Sequence, residues 1–144
     1  MDAEINYKMN SGFLEMDFDK ATDMLKDAFW CRGTKKKEVI KGAENSALVV
    51  GAFTENNKQI GYARVISDKT RFAYILDVIV DENFRKQGIG QSMVKYILNH
   101  SELRDVYQWL LITNDGHGVY QKVGFTALAQ PHEWMEIRNK RPAR

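Results

Sequence analysis

Apolar and polar residues recur with two different periods along this chain, which predicts a mixture of helices and strands. Apolar positions at helical spacing follow Asp17 or Asp19, and either residue can cap a helix that ends near Gly33. Two further helices are predicted, over residues 35–41 with Gly42 as the stop, and over residues 88–100. Strands are predicted over residues 5–9, 46–54, 59–67, 73–80 and 106–112.

The connections between these elements predict how the strands pair. Residues 55–58 form a polar segment of hairpin length, so the strands on either side of it are expected to be antiparallel. The strand 73–80 is nearly continuously apolar, as is typical of a central strand, and it is followed by a helix and another strand. This order predicts a right-handed crossover between two parallel strands.

The last quarter of the chain is expected to add one helix and two strands. Asp115 can cap a short helix that runs to Lys122 and ends at Gly124. Strands are expected over residues 126–129 and 134–138. The complete pattern predicts an α/β chain with a mixed sheet.

Composition restricts the classes of protein that fit. The chain has 144 residues, of which 44% are hydrophobic and 28% are charged, and this predicts one globular domain over residues 1–144. The net charge is only +2, so neither nucleic acid nor a membrane is an expected partner. A single cysteine and three scattered histidines predict a reducing, cytoplasmic location and no metal site.

The most informative motif lies between strand 73–80 and helix 88–100, and it reads Arg85-Lys-Gln-Gly88-Ile-Gly90. Glycines at a helix start allow an anion to approach the backbone N–H groups, and the two basic side chains favour a phosphate there. A loop that uses glycine only for its own turn is the alternative. A dinucleotide fingerprint would need a third glycine where Met93 stands, and no Walker loop is present.

This motif, together with Tyr120-Gln-Lys-Val-Gly124-Phe125, resembles the GNAT superfamily of acetyl-CoA-dependent N-acetyltransferases. The resemblance implies an α/β fold of the α+β type. Its sheet would be mixed and mostly antiparallel, with about six or seven strands, a parallel splayed pair and flanking helices. It also implies acetyl-CoA as cosubstrate without a metal, an amine substrate, and direct transfer in a ternary complex, and it allows for a homodimer. A non-catalytic acyl-CoA-binding or regulatory module is the alternative.

The resemblance assigns cofactor-binding residues by position. They lie on the strand end, the phosphate loop, the following helix start and the tyrosine segment: Val78, Ile79, Val80, Arg85, Lys86, Gln87, Gly88, Ile89, Gly90, Gln91, Ser92, Thr113 and Tyr120. Thr113 and Gly116 depart from the family, where many members carry Asn and Ala at these positions. The departures put in doubt side-chain contacts from this segment to the pantetheine arm.

The reaction needs an oxyanion donor, an acid and a base. A backbone N–H near Val78 or Ile79 is the expected oxyanion donor, and Tyr120 is carried over from the family as general acid, with a packed core aromatic as its alternative. Asp77 is a candidate base because it is the single charge in an apolar strand.

Asp77 has alternative roles, in which it caps a loop or binds a buried arginine such as Arg64. His117 is a second candidate base because it lies three residues before the tyrosine, and its alternative is a partly exposed first-turn histidine. A water chain would serve the same purpose. The acceptor is expected to meet Trp30, Arg32 and Tyr74.

Overall fold

The computed structural model describes residues 5–143, and these fall into two compact units. The first unit ends at Ile112 and the second begins at Thr113. Within the described residues no helix is long and apolar enough to cross a membrane. The same residues contain no group of three or more His, Cys, Asp or Glu side chains that could hold a metal ion.

The first unit is built on a five-stranded mixed sheet in which the strands follow one another in chain order. The strands are β1 (Tyr7–Ser11), β2 (Leu48–Thr54), β3 (Gln59–Ser67), β4 (Phe72–Val80) and β5 (Gln108–Leu110). All neighbouring strands are antiparallel except β4 and β5, which are parallel. The predicted hairpin and the predicted parallel pair are both confirmed, and so is the α+β fold class.

Three helices flank this sheet: α1 (Phe18–Leu25), α2 (Lys36–Glu44) and α3 (Ile89–Leu98). Asp17 is the cap of α1, since its carboxylate accepts a hydrogen bond from the Lys20 backbone N–H at 3.1 Å. The helix ends at Leu25, well before the predicted end near Gly33. The prediction was wrong because the helical spacing of apolar residues continues into a series of turns, in which the Gly33 N–H bonds the Lys26 carbonyl at 2.7 Å.

Gly42 does not end α2, as predicted, but lies inside it. A Cβ atom at this position would lie 3.2 Å from the guanidinium carbon of Arg64, so the missing side chain makes room for that arginine. The glycine therefore reflects a close tertiary approach rather than a helix stop.

The two faces of the sheet are covered by different helices. Gly61 and Tyr62 are neighbours on β3 and point to opposite faces. Tyr62 packs in a cluster with buried residues of α1 and α2, including Leu25 and Val39. On the other face, a Cβ atom at Gly61 would lie 3.0 Å from the Met93 side chain of α3. The sheet is thus a central layer between α1 and α2 on one side and α3 on the other.

The second unit contains one short helix, α4 (His117–Gln121), and a 3₁₀ turn at Pro131–Glu133. Residues 113–143 contain no strand, so the strands predicted over 126–129 and 134–138 are wrong, and the sheet has five strands instead of six or seven. Met135 and Ile137 are 96% and 91% exposed. Their alternating pattern suits a strand, but a strand forms only where a neighbour supplies the hydrogen bonds. Asp115 is not the cap of α4, because Gly116 occupies that position.

Candidate active site

The parallel ladder between β4 and β5 is short, and this opens the sheet on one side. It consists of three pairs and stops at Tyr74 and Leu110, whereas β4 continues to Val80. On its other side β4 remains paired with β3 as far as Gly61 and Val80. Among the residues that the structure describes, the second half of β4 therefore has no strand partner on this edge, and its backbone polar groups point outwards there.

The pairing with β3 determines which N–H groups face this open edge. The Asp81 N–H donates to the Ile60 carbonyl at 2.8 Å, so these two residues form a hydrogen-bonded pair. Such pairs alternate along an antiparallel ladder, which makes Tyr62 and Ile79 the next one. The Ile79 N–H thus faces β3, and the N–H groups of Val78 and Val80 face the open edge. Of the two oxyanion donors considered from the sequence, this alternation favours Val78.

A bulge interrupts β4 next to the open edge. Tyr62 pairs with Ile79 and Arg64 pairs with Leu76, so two steps along β3 correspond to three along β4. Asp77 lies at this point with a φ of 56°, in the left-handed region that non-glycine residues seldom adopt. A bulge bends its strand and changes the direction of the groups beside it.

The Asp77 carboxylate is bound from two sides. One oxygen accepts from the Arg64 Nε at 2.7 Å, and the other accepts from the Trp30 indole N–H at 2.9 Å. The side chains of Arg64 and Asp77 are only 18% and 14% exposed. The arginine partner considered from the sequence is therefore present, and the role of Asp77 as base stays a prediction.

The residues predicted to meet the acceptor lie on two elements of the first unit. Trp30 is 44% exposed and packs edge-on against Phe29, with ring centroids 5.1 Å apart. Arg32 is exposed in the same segment after α1. Tyr74 is half-buried on β4, in the last pair of the parallel ladder. The structure brings Trp30 and Asp77 together directly.

The loop from β4 to α3 is fixed at both ends. Asp81 is buried, forms an ion pair with Lys20 of α1, and accepts from the Asn83 N–H at 2.9 Å. Burial works to raise the pKa of Asp81, but the Lys20 ammonium and the Asn83 N–H outweigh it and hold this pKa below its ordinary value. Arg85 donates from Nε to the Val80 carbonyl at 3.0 Å. The loop is thus attached both to α1 and to the end of β4.

The start of α3 has the properties of an anion site. Gly88 occupies the cap with a φ of 80°, and no side chain bonds the first-turn N–H groups from this position. A Cβ atom at Gly88 would meet nothing within 4 Å, so the space beside its α-carbon is open. Exposed polar side chains of Arg85, Lys86 and Gln87 precede it. These donors and charges fit a phosphate group.

The other residues assigned to the cofactor in α3 differ in what they present. Ile89 is buried, so only its backbone can contact a ligand, while Gly90 and Gln91 are half-buried in the first turn. The Ser92 hydroxyl lies 2.9 Å from the hydroxyl of Tyr7 on β1. The side chain of Ser92 therefore attaches α3 to the sheet.

The tyrosine segment lies in the second unit. The Gly116 N–H donates to the Thr113 hydroxyl at 2.9 Å. A Cβ atom at Gly116 would lie 2.8 Å from that oxygen and 3.0 Å from the Tyr120 ring. The two departures from the family pattern thus fit each other, since an alanine at position 116 would crowd both neighbours.

Tyr120 itself is half-buried on α4, and its ring packs edge-on against Phe125 at 6.2 Å. Burial and, to a smaller extent, the charge of Asp115 raise the pKa of the Tyr120 phenol above its ordinary value. His117 is exposed at the start of the same helix. The segment therefore holds a phenol that keeps its proton at neutral pH.

Two features of the first unit were missed from the sequence. The Lys20 and Asp81 pair joins residues 61 positions apart, and the one signal for it was a carboxylate directly after a buried strand. Tyr62 is fully buried, and its hydroxyl has no hydrogen-bond partner among the described residues. Burial raises the pKa of Tyr62 strongly. The sequence shows only an aromatic residue within a predicted strand, which does not indicate that its hydroxyl is buried without a partner.

Comparison with known proteins identifies the family. The model of the acetyltransferase (GNAT) domain matches residues 45–127, which is more than half of the chain. The uncharacterized N-acetyltransferase ycf52 of Gracilaria tenuistipitata var. liui is 34% identical over 80 residues, which cover 54% of this chain and 43% of that protein. The chloroplastic GCN5-related N-acetyltransferase 2 of Arabidopsis thaliana is 35% identical over 79 residues, covering 54% of this chain and 30% of that protein. The matches thus span less than two thirds of these relatives.

Solved structures agree with this result. A GNAT-family protein from Xanthomonas campestris pv. campestris has a TM-score of 0.84 at 26% identity, covering 95% of this chain and 96% of its own. A predicted acetyltransferase from Clostridium acetobutylicum, solved with acetyl-CoA, has a TM-score of 0.66 at 21% identity, covering 93% and 96%. The second likeness concerns the fold alone. By its family-model match, its relatives and its fold, the chain belongs to the GNAT acetyltransferase family.

Proposed function

We propose that this protein is an acetyl-CoA-dependent N-acetyltransferase that transfers the acetyl group to a primary amine of a small molecule or peptide. One observation carries the proposal: the loop of residues 81–87 joins the end of β4, whose second half is not paired with β5, to the glycine-capped start of α3. An extended arm with amide groups can pair with the open edge of a strand, and a pyrophosphate can accept from a helix N-terminus. Acetyl-CoA contains both groups in one molecule.

The reaction takes place within a ternary complex in this proposal. The neutral amine nitrogen attacks the thioester carbonyl carbon, a C–N bond forms, and the electron pair of the C–S bond goes to sulfur. The Val78 N–H faces the open edge and is proposed to stabilise the developing oxyanion. The thiolate takes a proton from Tyr120, whose raised pKa keeps the phenol protonated at neutral pH.

The amine must also lose a proton, and three routes are considered. Asp77 already accepts from two donors, and His117 is exposed at the start of α4. A water chain is the third route.

We also propose a cytoplasmic location for this protein, although one relative is named as chloroplastic.

A second candidate function has a specific observation in its favour. Gly116 and Thr113 replace the residues that many family members carry, and each fits the other closely. A non-catalytic acyl-CoA-binding module could carry such a change. This candidate requires the same phosphate site but no acid.

The proposal is tested by binding and by turnover. Coenzyme A binding is measured by calorimetry, and thiol release from acetyl-CoA is followed with a library of amines. We expect Tyr120→Phe to lower kcat by about 100-fold with little change in coenzyme A affinity. Tyr107→Phe is the matched control, because Tyr107 is 72% exposed and its hydroxyl accepts a hydrogen bond from the Arg71 Nε at 3.2 Å.

Three outcomes separate the candidates. If coenzyme A does not bind, the phosphate site and both functions are wrong. A tight complex without transfer to any amine favours the binding module. An unchanged kcat in Tyr120→Phe removes this residue as the acid but leaves the enzyme proposal standing.

A further inference from the structure

Asp77 differs from the other residues with unusual backbone angles. Four non-glycine residues in the described chain have a positive φ: Asn57, Lys69, Asp77 and Lys86. The other three lie in turns or loops, whereas Asp77 lies inside strand β4. A left-handed residue within a strand is unfavourable, so the surrounding contacts must hold it there.

Two other elements supply those contacts. Trp30, from the segment after α1, and Arg64, from β3, each donate to one oxygen of the Asp77 carboxylate. Arg64 is itself held in place, since its Nη1 donates to the Gly42 carbonyl and the Ser46 hydroxyl at 3.3 Å each. We call this set of Trp30, Arg64 and Asp77 the bulge clamp.

The bulge clamp lies where the direction of β4 matters for the proposed chemistry. Asp77 comes three residues after the last pair with β5 and directly before Val78, whose N–H faces the open edge. The backbone turn at Asp77 therefore determines where the Val78 N–H points. An oxyanion donor is effective only when it is aimed at the position where charge develops.

We propose that Trp30 and Arg64 are positioning residues, which keep Asp77 in its left-handed conformation and so aim the Val78 N–H, and that Asp77 is not the general base. This inference rests on the proposed function. In this inference the Asp77 carboxylate has a structural role, because both of its oxygens accept hydrogen bonds that hold the backbone turn.

The test compares two substitutions that remove the same carboxylate. Glycine adopts a φ near 56° without strain, and alanine does not. Asp77→Gly and Asp77→Ala both remove the carboxylate that accepts from Trp30 and Arg64, so the difference between them reports the backbone turn. We expect Asp77→Ala to lose at least about tenfold in kcat with little change in KM for acetyl-CoA. Asp77→Gly should recover most of that loss, with the pH–rate profile of the wild type.

Asn57→Ala and Asn57→Gly are the matched controls. Asn57 has a φ of 64° in the hairpin turn between β2 and β3, so it carries the same kind of strain away from the site. These two variants should differ in stability towards urea but have the kcat of the wild type. Trp30→Phe keeps a ring while removing the N–H donor, and it should lower kcat several-fold without moving the pH–rate profile.

The outcomes distinguish this inference from the proposed function. If both Asp77 variants lose activity equally and the acidic limb of the pH–rate profile disappears, Asp77 is the base and the inference is overturned. An unchanged kcat in Trp30→Phe also overturns it, even if the Asp77 variants fail to fold. A wild-type protein that binds no coenzyme A contradicts the proposed function instead. In that case urea unfolding still tests the clamp, since equal stability of the two Asp77 variants would contradict it.

Discussion

The variant Gly88→Ala should distinguish a loss of stability through backbone strain from a loss of coenzyme A binding at the proposed phosphate site. Gly88 and Gly33 have nearly the same φ, 80° and 78°, and a Cβ atom at either position meets nothing within 4 Å. Alanine at either site therefore costs only the left-handed strain, about 1–2 kcal/mol of the free energy of unfolding. For a chain of this size each 1 kcal/mol lowers Tm by about 4 °C.

The two substitutions should differ in coenzyme A binding. Gly88 directly precedes the first turn of α3, where the proposed function places the pyrophosphate. A methyl group there would push the phosphate away and weaken one charge-assisted hydrogen bond, a loss of about 1.5–3 kcal/mol. This corresponds to a Kd that is about 10- to 100-fold higher. Gly33 lies in the turns after α1, so Gly33→Ala should leave this Kd unchanged.

Both quantities can be measured on the same samples. Urea unfolding gives the strain, and titration calorimetry at a temperature where every variant is folded gives the Kd. If Gly88→Ala loses stability as Gly33→Ala does but binds coenzyme A like the wild type, the phosphate site does not lie at the start of α3, and the reasoning is refuted.

Two further predictions concern stability and pH. Tyr62→Phe should keep or raise the free energy of unfolding at pH 7, because the buried hydroxyl has no partner among the described residues. The same variant should not lose stability above pH 10 through this residue. In the wild type, the raised pKa of Tyr62 in the folded state favours the unfolded chain there, in which the phenol ionises. A loss above about 1 kcal/mol in urea unfolding would show that this hydroxyl has a partner. Lys20→Ala should cost about 1–3 kcal/mol and raise the pH of acid unfolding, since a lowered folded pKa makes the Asp81 contribution present above pH 3.8 and lost as the pH falls through the folded value. Lys36→Ala is the control, because Lys36 forms an exposed ion pair with Asp19, and it should cost under about 0.5 kcal/mol of the free energy of unfolding. Equal losses in Lys20→Ala and Lys36→Ala would contradict the assigned role of Lys20.

The sequence was sufficient to predict those elements whose structure follows from the local pattern of residues. Strand β3 has the predicted bounds of residues 59–67, because a β-rich run follows directly after the polar turn of residues 55–58. The start of α3 was found through Gly88, since a left-handed cap favours glycine. The strand arrangement and the glycine-capped helix start could therefore be predicted from short segments, while the phosphate site at that helix start stays a prediction.

The features that escaped prediction depend on distant partners. Gly42 was interpreted as a helix stop, while its actual cause is the Arg64 guanidinium, 22 residues away. The conformation of Asp77 is held by Trp30, 47 residues away, and no local pattern contains that information. Apolar residues over 134–138 alternate like a strand, yet the described structure gives them no neighbour to pair with. Tertiary contacts overrule local preference at each of these positions.

The attachment of α3 to β1 has a consequence for how the protein folds. The hydroxyl pairs of Tyr7 with Ser92 and of Ser11 with Tyr96 each join residues 85 positions apart, whereas β2, β3 and β4 are linked by short turns. Contacts between distant residues carry a large loop-closure entropy and form after local ones. We therefore expect the three central strands to assemble first. The N-terminal strand would then join last, once α3, the helix proposed to bind the pyrophosphate, is already in place.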